Sequence, residues 1–295
     1  MRWLCTEYKR SASFKQLDMT TQKRRTAILD RFCKKHGDKP FSRMERTHLL
    51  KIRDKLPETP EAANGLIKAP RQVFKHAIEY EGLSHNPTAN VGYLRSNNPE
   101  GFRAWTLEEI QKFDEAHPLG TKGHLALGLM MYGGCTRSSD AILLGRQHLS
   151  RGGRLRYTQF KGRNRAPLEI DIRVIPDLQT IIEASPIGEL TFLVTQFNHP
   201  FKSSKAFGNW FKKRRREAGL PHCSAHGVRK AATARMAELG CSDHEIMAIG
   251  GWRALKEVQR YTTSARTRVL ADSAMDKVEA DIERTKLSNL STGGK

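Results

Sequence analysis

Three side chains in the last quarter of the chain carry recognisable chemistry. His226 and Arg229 are three positions apart, a spacing that puts both on one face of a helix. Tyr261 follows further on. Arginine offers a planar, permanently charged fork suited to phosphate. Histidine offers a proton acceptor near neutral pH. Tyrosine offers a hydroxyl that can attack. A phenol of pKa about 10 is ionised to only about one part in a thousand at pH 7, so the attack needs a base. That set can cut a phosphodiester without metal. Trp252 lies between, directly after Gly250-Gly251.

The same stretch contains a rival. Cys223-x-x-His226 and Cys241-x-x-His244 have zinc-like spacing. The segment between them reads as helix, and fifteen positions separate His226 from Cys241. At about 1.5 Å per residue the pairs stand roughly 20 Å apart, while zinc ligands converge within about 2.3 Å of the ion. Zinc is therefore disfavoured, and Cys223 and Cys241 read as small packing residues.

The elements that must position these groups follow from local pattern. HGVRKAATARMAEL predicts an alanine-rich helix ended by Gly240. Ser242 and Glu245 form a capping box that opens a short helix through Ile249, and Gly250 and Gly251 stop it. ALKEVQRYTTSA predicts the helix that carries Tyr261. The tail TRVLADSAMDKVEADIERTKLSNL predicts a further helix ending in polar STGGK. Its Val269, Leu270, Ala274, Val278 and Ile282 form a stripe that needs a partner, such as a neighbouring subunit.

Upstream, Leu125–Tyr132 is an apolar helix that runs into Gly133-Gly134-Cys135 and then Arg137. Asp140, three residues on, either orients that arginine or caps the next helix. RLRYTQF and PLEIDI flank a glycine- and asparagine-containing turn and predict a hairpin. Lys161, Arg163 and Arg165 sit at its tip, where they can reach a groove or stay solvated. A further short strand is expected at Thr191–Val194. The KKRRR run within Lys202–Arg216 touches a DNA backbone or is a solvated helix face.

Residues 1–95 read as short helices with basic faces. One carries an apolar stripe at Ala27, Ile28 and Phe32 and ends at Gly37; others are expected at Arg46–Lys55, Glu61–Lys68 and Arg71–Glu81. Lys23, Arg24, Arg25, Arg71 and Lys75 are the candidate phosphate contacts. Residues 96–104, SNNPEGFRA, read as a linker, and Thr106 and Glu109 have the spacing of a capping box that opens a second domain over 105–295.

The whole composition agrees with a polyanionic partner. The 295 residues hold 51 Lys and Arg against 31 Asp and Glu, a formal charge of +20. Nucleic acid is the usual partner of such a chain. Five scattered cysteines fit a reducing cytoplasm, and a DNA partner adds association with the nucleoid. No apolar run approaches a membrane span, and MRWLCTEYKR lacks a signal-peptide core.

Taken together, Arg137, Lys161 on a hairpin, His226-x-x-Arg229, Trp252 and Tyr261 stand in the order and rough spacing of the tyrosine recombinases, the phage-integrase family. HGVRKAA, LGCSDHEIMAIGGW and EVQRYT also resemble its local wording. The resemblance covers about 105–270, and more loosely the helical residues 1–95. Three departures stand out: Cys135 where the family often has glycine, Trp252 where it more often has histidine, and no expected counterpart of the N-terminal arm-binding domain of larger integrases.

The resemblance implies a mainly α fold with a small antiparallel β-sheet, built as a two-domain clamp: a helical core-binding domain at 1–95, a linker at 96–104 and a catalytic domain at 105–295. It implies a site-specific recombinase or integrase acting through a 3′-phosphotyrosyl link, with neither metal nor other cofactor. Tyr261 is then the nucleophile, His226 the base and Lys161 the acid. Arg137 and Arg229 clamp the phosphate, and Trp252 either donates to it or buttresses Tyr261. Duplex DNA, a homotetramer on that DNA, and accessory DNA-bending or directionality proteins are the implied partners. The alternatives are a non-cleaving DNA-binding relic or accessory module of the same fold, and a type IB topoisomerase-like enzyme.

Overall fold

A computed structural model describes residues 1–99 and 101–292, with side chains described as far as Lys286. Glu100 of the expected linker and the last three residues of STGGK lie outside the described residues. Among those described there are thirteen α-helices and one two-stranded antiparallel sheet, the mainly helical class with a small sheet. The chain divides into two compact units, Met1–Gly101 and Phe102–Lys295.

The first unit is built from α1 (Arg2–Arg10), α2 (Ala12–Lys15), α3 (Met19–His36), α4 (Arg46–Arg53) and α5 (Pro60–Tyr80). Leu4, Leu29, Leu49, Ile67 and Phe74 close its core. Helix α3 buries Leu29, Phe32 and Cys33, with Ile28 partly covered, so the apolar stripe lies one position later than expected and Ala27 is exposed. Gly37 ends α3 in right-handed geometry; glycine is needed because a Cβ there would meet the Cys33 carbonyl and the Arg2 side chain.

Two helices were expected where α5 is one. Pro70 lies inside it without ending it. A helical proline forfeits one backbone bond and crowds the preceding turn. Here it is itself buried beside Ile67, Ala69, Val73 and Phe74, and that packing holds the helix through the defect.

The second unit opens with α6 (Leu107–Ala116), whose capping box is complete: Glu109 N–H donates to Thr106 Oγ1 at 3.2 Å, and Thr106 N–H to Glu109 Oε2 at 2.9 Å. The apolar α7 (Lys122–Tyr132) is the central helix, and the short α8 (Ser138–Ala141) follows. The hairpin pairs β1 (Arg154–Thr158) with β2 (Glu169–Arg173) in the register Leu155↔Ile172 and Tyr157↔Ile170. Leu155, Tyr157 and Ile170 turn inward, whereas Arg154, Arg156 and Thr158 face out.

Helix α9 (Pro176–Ala184) packs on α7, and α10 (Ser204–Glu217) contributes Phe207 and Phe211 to a cluster with Trp105, Phe113 and Phe192. Full burial of each such ring contributes about 1.5–3 kcal/mol. No strand forms at Thr191–Val194. Val194 makes a single bridge to Pro200, and the left-handed Asn198 with a proline that has no N–H to donate leaves no room for a ladder. The KKRRR run does not share one face: Arg215 is buried, while Lys212, Lys213 and Arg216 are exposed.

The chain finishes with α11 (Ala225–Glu238), α12 (Asp243–Gly250) and α13 (Leu255–Thr292). The two helices expected around Tyr261 and in the tail are one, because no glycine or proline interrupts Leu255–Thr292. Its first turns pack on α11 and α12 through Val258 and Thr262, and Arg266 pairs with Asp243 at 2.7 Å. From Thr267 to Lys286 nearly every residue is exposed, including Leu270, Met275, Val278 and Ile282. No helix among the described residues is long and apolar enough to cross a membrane.

Candidate active site

Arg137 stands at the N-cap of α8, just past the left-handed Gly134 and Cys135. Its Nη1 donates to Gln159 Oε1 at 3.0 Å. The other end of that amide, Nε2, donates to the Gly250 carbonyl at 2.8 Å. The same carbonyl accepts from Arg229 Nη2 at 2.9 Å, while Arg229 Nη1 bonds the Cys135 carbonyl. The two arginines are thus joined through one glutamine and the Gly250 carbonyl. Arg229 is only 2 % exposed, and its guanidinium lies 3.9 Å over the Trp252 ring. Gly250 must be glycine, since a Cβ there would overlap that ring.

The Arg229 fork has no carboxylate against it. Burial and the neighbouring Arg137 lower its pKa to about 10, which leaves it charged at pH 7. The nearest acid is Asp140. One of its oxygens accepts from Phe160 N–H at 2.6 Å, the other is buried without a hydrogen-bond partner, and burial raises its pKa. Asp140 therefore ties the segment after β1 to α8, and its charge acts on Arg137 and Arg229 without a salt bridge to either.

Ser224 caps α11 by accepting from Gly227 N–H at 2.9 Å, and the Trp105 indole donates to the Ser224 carbonyl at 2.8 Å. This fixes the turn that presents His226. His226 lines a cavity of about 390 Å³ together with Arg137, Arg229, Thr136, Ser138, Ser139, Ser204, Lys205 and Ala225. Burial, then Arg229, Lys230, Arg137 and Lys161, push its pKa below the ordinary histidine value. At neutral pH the imidazole is uncharged and can accept a proton.

Tyr261 is half-buried on α13. Its ring centre is 6.5 Å from that of His226, edge to face, and 6.0 Å from that of Trp252. Lys230 Nζ stands 5.5 Å from the Tyr261 ring centre. Lys161 is on the exposed hairpin turn, close enough to His226 to act on its charge but outside the cavity wall. Arg163 lies 3.9 Å over Phe160, and Arg165 is exposed beside it. Arg253 donates to the carbonyls of Ala166 and Pro167, which fastens the far side of the hairpin next to Trp252.

Arg137, His226 and Arg229 thus share one cavity, Trp252 and Tyr261 flank it, and Lys161 lies outside it within electrostatic reach of His226. Gln159, Asp140, Lys230 and the Cys135 carbonyl complete the arrangement without having been singled out as site members in the sequence. Asp140 stands out there by its spacing and Cys135 as a departure from the family pattern, whereas Gln159 is one buried amide and leaves no motif.

The expected phosphate contacts of the first unit differ among themselves. Lys23 and Arg24 are exposed on α3, and Lys75 is exposed with Glu79 at 3.9 Å. Arg25 bonds the Tyr8 hydroxyl. Arg71 donates to the carbonyls of Thr88 at 2.8 Å and Val91 at 3.1 Å, and stacks on Tyr93. Its fork holds the chain's own loop.

Among the described residues one other group gathers metal-type ligands: Glu109, His222 and Cys223 bring donor atoms within 4.8 Å of one another. A cation is already there, because Arg103 pairs with Glu109 and reaches Cys223 Sγ at 3.7 Å. The cysteine and histidine pairs weighed above as zinc ligands are held apart by the unbroken α11.

The family model described as "Phage integrase family" matches residues 102–268. No curated protein matches the sequence. Among solved structures, a lambda integrase dimer bound to a COC′ core site superposes with a TM-score of 0.75 at 17 % identity, covering 88 % of this chain and 94 % of that one. A lambda integrase tetramer bound to a Holliday junction gives 0.73 at 16 %, covering 88 % and 76 %. The Tn1549 transposon integrase in complex with circular intermediate DNA gives 0.68 at 15 %, covering 90 % and 98 %. At these identities the likeness is one of fold.

Proposed function

This chain belongs to the phage integrase family, and from that premise we propose that it is a DNA strand transferase, a site-specific recombinase that cuts and rejoins duplex DNA through a 3′-phosphotyrosyl intermediate. One observation carries the reading. Two guanidinium groups and an uncharged imidazole meet in a cavity without a carboxylate, beside an accessible tyrosine. Such a site is complementary to a phosphodiester whose charge grows on the way to the transition state.

In this scheme the Tyr261 oxygen attacks phosphorus and its proton passes to His226. The bond from phosphorus to the 5′-oxygen breaks, and Lys161 gives that oxygen a proton. Arg137 and Arg229 hold the non-bridging oxygens, where loss of one donor typically costs about 10²–10³ in rate. Trp252 buttresses Arg229 and Tyr261. The ester to tyrosine keeps the bond energy, so a 5′-hydroxyl of another strand can reverse the step. The scheme calls for neither metal nor nucleotide.

Duplex DNA is the proposed partner, held by exposed cations such as Lys23, Arg24, Lys75, Arg163 and Arg165. Lambda integrase binds a Holliday junction as a tetramer, and we propose the same state here. The exposed apolar residues of α13 favour an assembling recombinase over a monomeric topoisomerase-like enzyme.

The test is a nicked suicide duplex carrying candidate attachment sequence, incubated with wild type and Tyr261→Phe and run on a denaturing gel. A covalent adduct with wild type only is expected. Salt-sensitive binding without an adduct would overturn the reading in favour of a non-cleaving DNA-binding module.

A further inference from the structure

The cavity that joins Arg137, His226 and Arg229 also takes in a third cation, Lys205. Its wall also includes Ser138, Ser139 and Ser204.

Lys205 is exposed on the first turn of α10, and Ser203 fixes that turn by accepting from Ala206 N–H at 3.1 Å. Helix α10 packs on α8, so this wall is joined to the segment that carries Arg137. No carboxylate lines the cavity. Among the described residues Lys205 takes part in no salt bridge. Its charge has no other evident use inside this unit.

A DNA strand carries one phosphate for each 3.4 Å or so of helix axis. Once one phosphate lies against the two arginines, the next on the same strand is a short step away. We propose that Lys205, with the Ser204 hydroxyl beside it, binds the phosphate adjacent to the scissile one, so that the cavity grips two consecutive phosphates of the cut strand. The second grip orients the scissile phosphate: a backbone held at two consecutive phosphates cannot pivot about the two arginines. This inference rests on the strand-cleavage reading above.

The experiment uses the full chain and suicide duplexes in which each phosphate flanking the scissile one is replaced in turn by an uncharged methylphosphonate. Lys205→Ala and Lys205→Arg are compared with wild type. In Lys205→Ala the DNA concentration for half-maximal adduct rises about tenfold, the low end for a hydrogen bond to a charged group. The slope of log affinity against log salt falls by about one. One flanking methylphosphonate costs wild type a similar factor and costs Lys205→Ala nothing more, and Lys205→Arg restores most of the loss.

Unchanged affinity in Lys205→Ala would overturn the proposal. So would losses that stay multiplicative at every flanking position, because Lys205 would then touch something else. The salt slope and the methylphosphonate penalties are also read on binding alone. Absence of any adduct with wild type would therefore strike the strand-cleavage reading, while the binding data still judged Lys205.

Discussion

Cys135 has a backbone φ of 49°, in the left-handed region where a side chain costs about 1–2 kcal/mol. Its carbonyl must face Arg229, and its thiol is buried in a small cluster with Trp252, Ile246 and Val258. The glycine that the family resemblance leads one to expect at this position would adopt this φ without strain. Cys135→Gly relieves the strain and loses a buried thiol of similar worth, so stability should stay within about 1 kcal/mol of wild type. Cys135→Val, branched at Cβ, should lose more than Cys135→Ala in the same denaturant titration. Burial pushes the thiol up to about 11, so it stays protonated and unreactive at neutral pH.

His226 makes a pH prediction with a definite sign. A base must be uncharged, and its surroundings depress its pKa below 6.5. Cleavage efficiency should therefore hold as pH falls to 6.5 and drop only below it, as the imidazole charges. Single-turnover rates against pH should show this limb in wild type and not in the slow His226→Gln variant; a limb above 6.5 in free enzyme would count against the role. At this scale the sequence showed charged and nucleophilic groups well. It did not show Gln159, whose amide links Arg137 to Gly250, because one buried amide has no spacing to betray it.

At the scale of elements, local punctuation was readable where it acts locally. Both capping boxes, at Thr106 and Ser242, form as their spacing implies, and so does the hairpin. Misreadings came where packing overrides punctuation. Pro70 reads as a break, yet the core of the first unit carries α5 through it. Between the Tyr261 helix and the tail there is no glycine or proline to end a helix, and the two run on as one. Helix α13 yields the prediction of this scale. Its apolar residues beyond Thr267 touch little of their own chain. Deleting residues 268–295 should therefore reduce the size of the complex on DNA more than the yield of first-strand adduct. An unchanged complex size in a gel-shift or light-scattering comparison would remove the docking role.

For the whole molecule, charge and division say different things. The excess of +20 proclaims a polyanionic partner but not its place. Structure separates cations that face solvent, such as Lys23 and Arg24, from those that hold the fold, such as Arg71 and Arg215. No reading of charge along the chain makes that distinction, because it depends on which carbonyls lie opposite. Tyr261, finally, rides the second turn of a helix with no glycine or proline as far as Thr292. Val258, Thr262 and the Arg266–Asp243 pair clamp the near end on both sides of Tyr261. The far end is therefore a handle on a fixed base: a neighbour can grasp it while the phenol stays where it is.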